Sequence, residues 1–124
     1  MSTRSQILIE GSKASIYRHC DGYPGTPDGT EYGVLADLMP ILRAFKADRG
    51  WDVEYLVARV AQRLMNKHVP DGSITYGICT KMPSDLAFVY VIKKNWSIEV
   101  RETNTLFWDA PSAANTALVG TFQV

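Results

Sequence analysis

Two short segments of the sequence combine aromatic, cationic and amide side chains in a pattern that favours ligand binding. The first runs over residues 17–24 and contains two tyrosines, a guanidinium, an imidazole and a carboxylate beside Gly22. These side chains hydrogen-bond and stack, and a glycine lets the backbone follow a ligand closely. The candidate ligand contacts are Tyr17, Arg18, His19, Asp21 and Tyr23. The alternative is that both tyrosines are half-buried sheet residues and that Arg18 pairs with Asp21.

The second candidate site lies in the region of residues 86–102, which is predicted to form a β-hairpin with a polar tip. Lys93, Lys94 and Asn95 occupy the predicted turn. Arg101 lies on the returning strand, and Phe88 and Tyr90 lie on the outgoing one. Cations and amides beside aromatic rings can bind a phosphate and stack on a base. The alternative is a solvated hairpin tip whose lysines only protect the sheet.

Patterns of catalysis and metal binding are weak in this sequence. It contains no GxSxG, HExxH or GxGxxG motif and no P-loop. Cys79 with either histidine remains an open nucleophile–base pair, whereas the adjacent His19 and Cys20 point to opposite faces of a strand. Glu54 and Asp109 could pair as acid and base, but Glu54 equally suits the first turn of a helix. We therefore expect no enzymatic activity, no cofactor and no bound metal, and two free thiols.

The elements that position these residues begin with two short strands, at residues 7–9 and 14–20. The following segment, residues 21–33, has the highest density of glycine and proline in the chain. Proline lacks a backbone donor and glycine costs conformational entropy, so this segment is predicted to be a loop. Loops of this length in compact domains usually bind something or move.

Two amphipathic helices are predicted next, because apolar residues recur with helical spacing. The first covers residues 34–49 and contains Pro40, so it either kinks there or begins near Asp37. The second has Asp52 at its N-cap and ends at residues 69–72.

The last third of the chain is rich in strands, predicted at residues 74–78, 86–92, 96–102 and 117–124. Residues 93–95 are predicted to form a turn, in which Asn95 is able to take the left-handed conformation. Residues 103–117 are predicted to be a polar loop enclosing Leu106, Phe107 and Trp108. The order ββ-αα-ββββ predicts an α+β fold of one domain, residues 1–124, with two helices on one face of a largely antiparallel sheet.

Composition excludes several classes of protein. The chain has 124 residues, enough for one domain, and its 46% hydrophobic and 21% charged residues argue against disorder. Thirteen basic residues balance thirteen acidic ones, whereas non-specific nucleic-acid binders are usually basic. Neither a membrane span nor a signal peptide is predicted. We therefore expect no DNA, RNA or membrane partner.

Three segments resemble the phage anti-Thoeris sponge proteins of the first described type. The first is residues 16–24, which read IYRHCDGYP; the others are residues 51–58 and the closing hairpin up to Arg101. Cys20 departs from the pattern, since a large aromatic residue is expected there in many relatives. The resemblance implies a phage-encoded anti-defence protein that binds a cyclic ADP-ribose isomer, or a related cyclic oligonucleotide, without degrading it.

The resemblance also implies a homo-oligomer acting in the cytoplasm of an infected bacterium. A ligand with two phosphates and an adenine would need cations for its charge and an aromatic face for its base. In this sequence the candidates are Arg101, Lys93, Phe88, Asn95 and Arg18. The alternative function is inhibition of a host protein through an interface anchored by Trp96, Phe107 and Trp108.

Overall fold

A six-stranded mixed sheet carries two long helices on one face in the computed structural model, which describes residues 3–124. The strands are β1 (Ser5–Ile9), β2 (Ser15–Arg18), β3 (Tyr76–Cys79), β4 (Phe88–Ile92), β5 (Ser97–Glu102) and β6 (Ala117–Gln123). The α-helices are α1 (Val34–Asp48), α2 (Val53–His68) and α3 (Thr105–Asp109). Short 3-10 turns occur at Val69–Asp71 and Ala113–Asn115.

The strands lie in the order β3-β2-β1-β4-β5-β6. The central pair, β1 and β4, is parallel, and every other neighbouring pair is antiparallel. A parallel pair needs a long connection, which here contains β2, both long helices and β3. The predicted α+β class and the order ββ-αα-ββββ are confirmed.

The main core lies between the helices and one face of the sheet, called here the helix face. Ile7, Ile16 and Tyr90 point to this face from neighbouring strands, and all three are fully buried. Leu38 and Leu56 pack against them from the two helices. Because side chains alternate along a strand, the residues between these positions point to the opposite, open face.

The open face carries a smaller core beneath α3. Phe107 is fully buried there with Leu86 and Val89. The expected polar loop over residues 103–117 is therefore wrong in part: Asn104 Oδ1 accepts a hydrogen bond from the N–H of Phe107 (3.2 Å) and starts a short helix. Of the three apolar residues in this segment, Leu106 and Trp108 face solvent and Phe107 does not.

Other boundaries also differ from expectation. Pro40 lies inside α1, which begins at Val34, and β2 and β3 are each four residues long. In the hairpin turn the left-handed residue is Trp96 (φ 63°), not Asn95. Asn95 Oδ1 instead accepts hydrogen bonds from the N–H (3.1 Å) and the hydroxyl (2.6 Å) of Ser97. None of the helices within residues 3–124 has the length and apolar character needed to cross a membrane.

Candidate functional site

The loop between β2 and α1 is fixed against the sheet by backbone contacts. The N–H of Val34 donates to the carbonyl of Tyr23 (3.0 Å), so the loop caps the first turn of α1. The hydroxyl of Tyr90 donates to the carbonyl of Gly22 (2.7 Å). A Cβ added to Gly22 would lie 2.7 Å from Ser5 Oγ, so only glycine fits this approach. Hydrogen bonds to the sheet and to α1 thus determine the backbone shape of the first predicted segment.

Arg18, the central cation of that segment, points into the core and forms an ion pair with Asp37 of α1. Arg18 Nη1 lies 2.7 Å from Asp37 Oδ2, and both side chains are 0% exposed. Asp37 also accepts from Lys67 Nζ (2.6 Å) and contacts His68 Nε2 (3.0 Å), both near the end of α2. Burial opposes ionisation of Asp37, but the hydrogen bonds from Lys67 and Arg18 more than offset it and lower the pKa of this carboxyl.

Every nitrogen of the Arg18 guanidinium has a partner inside the protein. Nη1 also donates to the hydroxyl of Tyr76 (3.2 Å), Nη2 donates to that of Tyr32 (3.2 Å), and Nε donates to the carbonyl of Cys20 (3.3 Å). Arg18 pairs with Asp37 rather than Asp21. Four of its five N–H donors are thus used within the protein. Because the side chain is fully buried, the guanidinium anchors β2, α1 and the loop to one another and does not face a surface ligand.

The residues on either side of Arg18 point to the open face. The hydroxyl of Tyr17 lies 2.9 Å from Nδ1 of His19, and the two rings are 5.9 Å apart. Burial raises the pKa of Tyr17, and the charges of Arg4 and Asp85 act on its phenol with opposite signs. The sheet therefore separates Tyr17 and His19 from Arg18, so the first segment does not present its groups to one ligand.

The second predicted group is also divided by the sheet. The register places Phe88 opposite Glu102 on the helix face, and Arg101 opposite Val89 on the open face. Arg101 Nε donates to Glu99 Oε1 (3.1 Å), its neighbour on the same strand. Lys93 and Asn95 lie at the other end of β4, which places them about 17 Å from Phe88 at the spacing of a strand. These four residues do not form a single site.

A cleft at the end of the sheet, with a volume of about 630 Å³, does combine the expected chemistries. Phe88 lines it together with Trp108 of α3, and Trp108 is 52% exposed. The full lining is Arg4, Ser84, Asp85, Leu86, Ala87, Phe88, Glu102, Thr103 and Trp108. Volumes of about 300–1,000 Å³ are typical of small-molecule sites. We call this feature the sheet-end cleft.

Arg4 is the cation of the sheet-end cleft, and its hydrogen bonds are incomplete. Its Nη1 lies 2.6 Å from Asp85 Oδ2. Its Nε is buried and has no hydrogen-bond partner among residues 3–124. The Arg4 side chain as a whole is 35% exposed, so the N–H donors that Asp85 does not use can bind an acceptor on a ligand. Glu102 adds a second carboxylate beside Asp85, and both can accept hydrogen bonds from hydroxyl groups.

Of the residues predicted to contact a ligand, only Phe88 lines this cleft. Arg4 precedes the first strand and Asp85 precedes β4, so neither lies in an aromatic–cationic cluster of the sequence. Trp108 did carry a signal, as a large apolar residue in a polar segment. That signal favours a protein interface rather than a ligand contact.

The two thiols have no catalytic partner in the described part of the chain. Cys79 lies opposite Ser15 in the pair of strands β2 and β3. His19 follows β2, and its N–H donates to the carbonyl of Thr75. Four strand residues separate Ser15 from His19, so His19 lies about 13 Å from Cys79. His68 contacts Asp37 on the helix face, whereas Cys79 points to the open face. Both cysteines are free. No cluster of three or more potential metal ligands occurs within residues 3–124.

Comparison of the sequence with family models gave no match, and comparisons with curated proteins and with solved structures gave none either. The candidate site is therefore defined by its own geometry: an open cleft with two aromatic rings, an incompletely paired guanidinium and two carboxylates.

Proposed function

We propose that this protein binds a cyclic nucleotide of the cyclic ADP-ribose type in the sheet-end cleft and withholds it without degrading it. The observation that carries the proposal is that Arg4, whose hydrogen bonds within residues 3–124 are incomplete, lines one cleft together with the aromatic residues Phe88 and Trp108. Guanidinium groups bind phosphate oxygens, and exposed indole rings stack on bases. The resemblance of residues 16–24 to the anti-Thoeris sponges points to the same ligand class.

Each group in the cleft has a role in this binding mode. Trp108 offers an exposed ring for the adenine from the open face, and Phe88 adds an apolar contact from the helix-face side of the same cleft. Arg4 donates to a phosphate oxygen from guanidinium N–H groups that its pair with Asp85 leaves free. Asp85 and Glu102 accept hydrogen bonds from ribose hydroxyls. Two carboxylates near one cation disfavour a densely charged anion, so a ligand with several hydroxyls per phosphate fits better.

Sequestration requires affinity rather than turnover. The described geometry supports it, because neither thiol has a histidine within hydrogen-bond distance and His68 is held by Asp37. We therefore propose a binding protein and not an enzyme, acting as an anti-defence factor in the cytoplasm of an infected bacterium.

A melting scan against cyclic ADP-ribose isomers and cyclic di- and trinucleotides tests this proposal. A ligand at about one hundred times its dissociation constant stabilises a fold by roughly 2.7 kcal/mol, which raises the melting temperature here by about 10 °C. The variant Trp108→Ala should abolish the shift, whereas Leu106→Ala, an exposed change on the same helix, should keep it. If no member of the panel raises the melting temperature, the proposal is wrong.

A second candidate function is binding to a protein surface, either a host target or a second copy of this chain. Exposed apolar side chains favour it: Leu106 and Trp108 on α3, and Leu118 and Val119 on the edge strand β6. Of the three expected anchors only Trp108 is available, because Phe107 is buried and Trp96 packs on Trp51. Light scattering at micromolar protein separates the alternatives: a dimer or higher oligomer supports self-association, and a monomer excludes it.

A further inference from the structure

A groove on the outer surface of the helix layer differs in chemistry from the sheet-end cleft. It runs between α1 and α2, has a volume of about 210 Å³, and is lined by Pro40, Ile41, Ala44, Arg59 and Arg63. Arg59 and Arg63 lie one turn apart on α2, so their side chains share one face of the helix. We call this feature the helix groove.

The positive charge of the helix groove is not neutralised by the protein. Neither Arg59 nor Arg63 has an ion pair or a side-chain hydrogen bond within residues 3–124, and no carboxylate lines the groove. By contrast, the guanidinium groups of Arg4, Arg18 and Arg101 all have carboxylate partners. The zero net charge of the chain therefore conceals a local cationic surface.

Arg59 is held in place by packing and not by charge. Its guanidinium carbon lies 5.5 Å from the centre of the Phe45 ring, which is itself fully buried. Stacking on an aromatic ring orients a guanidinium while leaving its N–H donors free. Arg63 is exposed and points from the same helix face. The two cations thus flank an apolar floor formed by Pro40, Ile41 and Ala44.

We propose that the helix groove docks an acidic amphipathic helix of a partner protein. Four residues of an α-helix rise about 6 Å, so two carboxylates one turn apart on the partner would match Arg59 and Arg63. An apolar side chain beside those carboxylates would lie on the floor at Ala44. A nucleic acid fits less well, because no aromatic side chain lines the groove to stack on a base. The proposal is independent of the sheet-end cleft.

The test uses the full chain and a stapled helical peptide with two glutamates four residues apart and a leucine on the same face. Peptide titration should shift the backbone amide signals of Ile41 and Ala44 in NMR spectra. The double variant R59Q/R63Q, and a peptide with glutamine in place of both glutamates, should each weaken binding at least tenfold. The matched control is R43Q on α1, another exposed arginine without an ion pair among residues 3–124, which should bind within twofold of the parent.

Three results would overturn the proposal. The first is a peptide that causes no shifts at these amides. The second is an equal loss of affinity in R43Q and R59Q/R63Q, because binding would then depend on general positive charge. The third is a single-stranded oligonucleotide that binds through Arg59 and Arg63 more tightly than the peptide does at the same salt concentration. Arg43 and Arg63 are exposed, and Arg59 is half-buried against Phe45. A single cooperative unfolding transition in each variant shows that the fold is intact.

Discussion

Replacing Asp37 by asparagine should destabilise this protein more than any other single change of an acidic residue to its amide. The carboxylate is completely buried and faces Arg18, which is also completely buried, at 2.7 Å. Asparagine keeps the size of the side chain but removes its charge, so the Arg18 guanidinium remains in the core without a counter-ion. Removing one partner of a buried ion pair typically costs about 3–5 kcal/mol.

This free energy corresponds to a large change in melting temperature. With an unfolding entropy of about 2.1 cal/mol/K per residue, a chain of 124 residues loses about 10–20 °C. Lys67→Gln should cost at most about 1 kcal/mol, because Lys67 is 56% exposed and solvent screens its charge. Asp48→Asn, an exposed change on the same helix, should stay within about 0.5 kcal/mol.

Urea denaturation as a function of pH tests the reasoning directly. The pKa of Asp37 is lowered in the folded state, so its contribution is present above its usual value of 3.8 and is lost as the pH falls below that value. The stability difference between the parent and Asp37→Asn should therefore shrink from pH 5 towards pH 2. A loss no greater than that of Asp48→Asn, or a difference that does not change with pH, would refute the assignment.

Three further predictions concern packing and the loop. Phe107→Ala removes a fully buried ring and should cost about 3–5 kcal/mol in urea denaturation, whereas Leu106→Ala should be near neutral. Gly33→Ala places a Cβ 2.4 Å from a backbone nitrogen and should cost more than Gly29→Ala, which meets no atom within 4 Å; equal melting temperatures would contradict this. Hydrogen bonds from the backbone and hydroxyl groups of neighbouring threonines lower the pKa of Asp28 to about 2, which an NMR titration of its carboxyl should reproduce.

The sequence was sufficient for the fold class because hydrophobic periodicity determines which faces are buried. The apolar spacing over 34–49 and 53–68 identifies both helices, and the alternation after Trp96 assigns Ile98 to the core face and Glu99 to the other. Short elements were harder. The α3 helix depends on one cap by Asn104 and one buried ring, a signal too local for periodicity to detect.

The candidate site could be predicted only in part, because long-range pairing determines which polar groups meet. Ile16 and Arg18 share the inward face of β2, and Asp37 lies among apolar residues of α1, so a buried pair was detectable in principle. The sheet-end cleft was not, since Arg4, Phe88 and Trp108 come from three distant segments. The spacing of these three residues along the chain does not indicate that they line the same cleft.

Equilibrium dialysis of the full chain against cyclic ADP-ribose isomers tests the central claim most directly. The retained ligand is then released by heat and analysed by chromatography. The account predicts that the parent and Leu106→Ala retain one isomer and release it chemically unchanged, while Trp108→Ala retains none. Retention that Trp108→Ala does not weaken would contradict the assigned cleft. Release of a cleaved product would contradict sequestration itself.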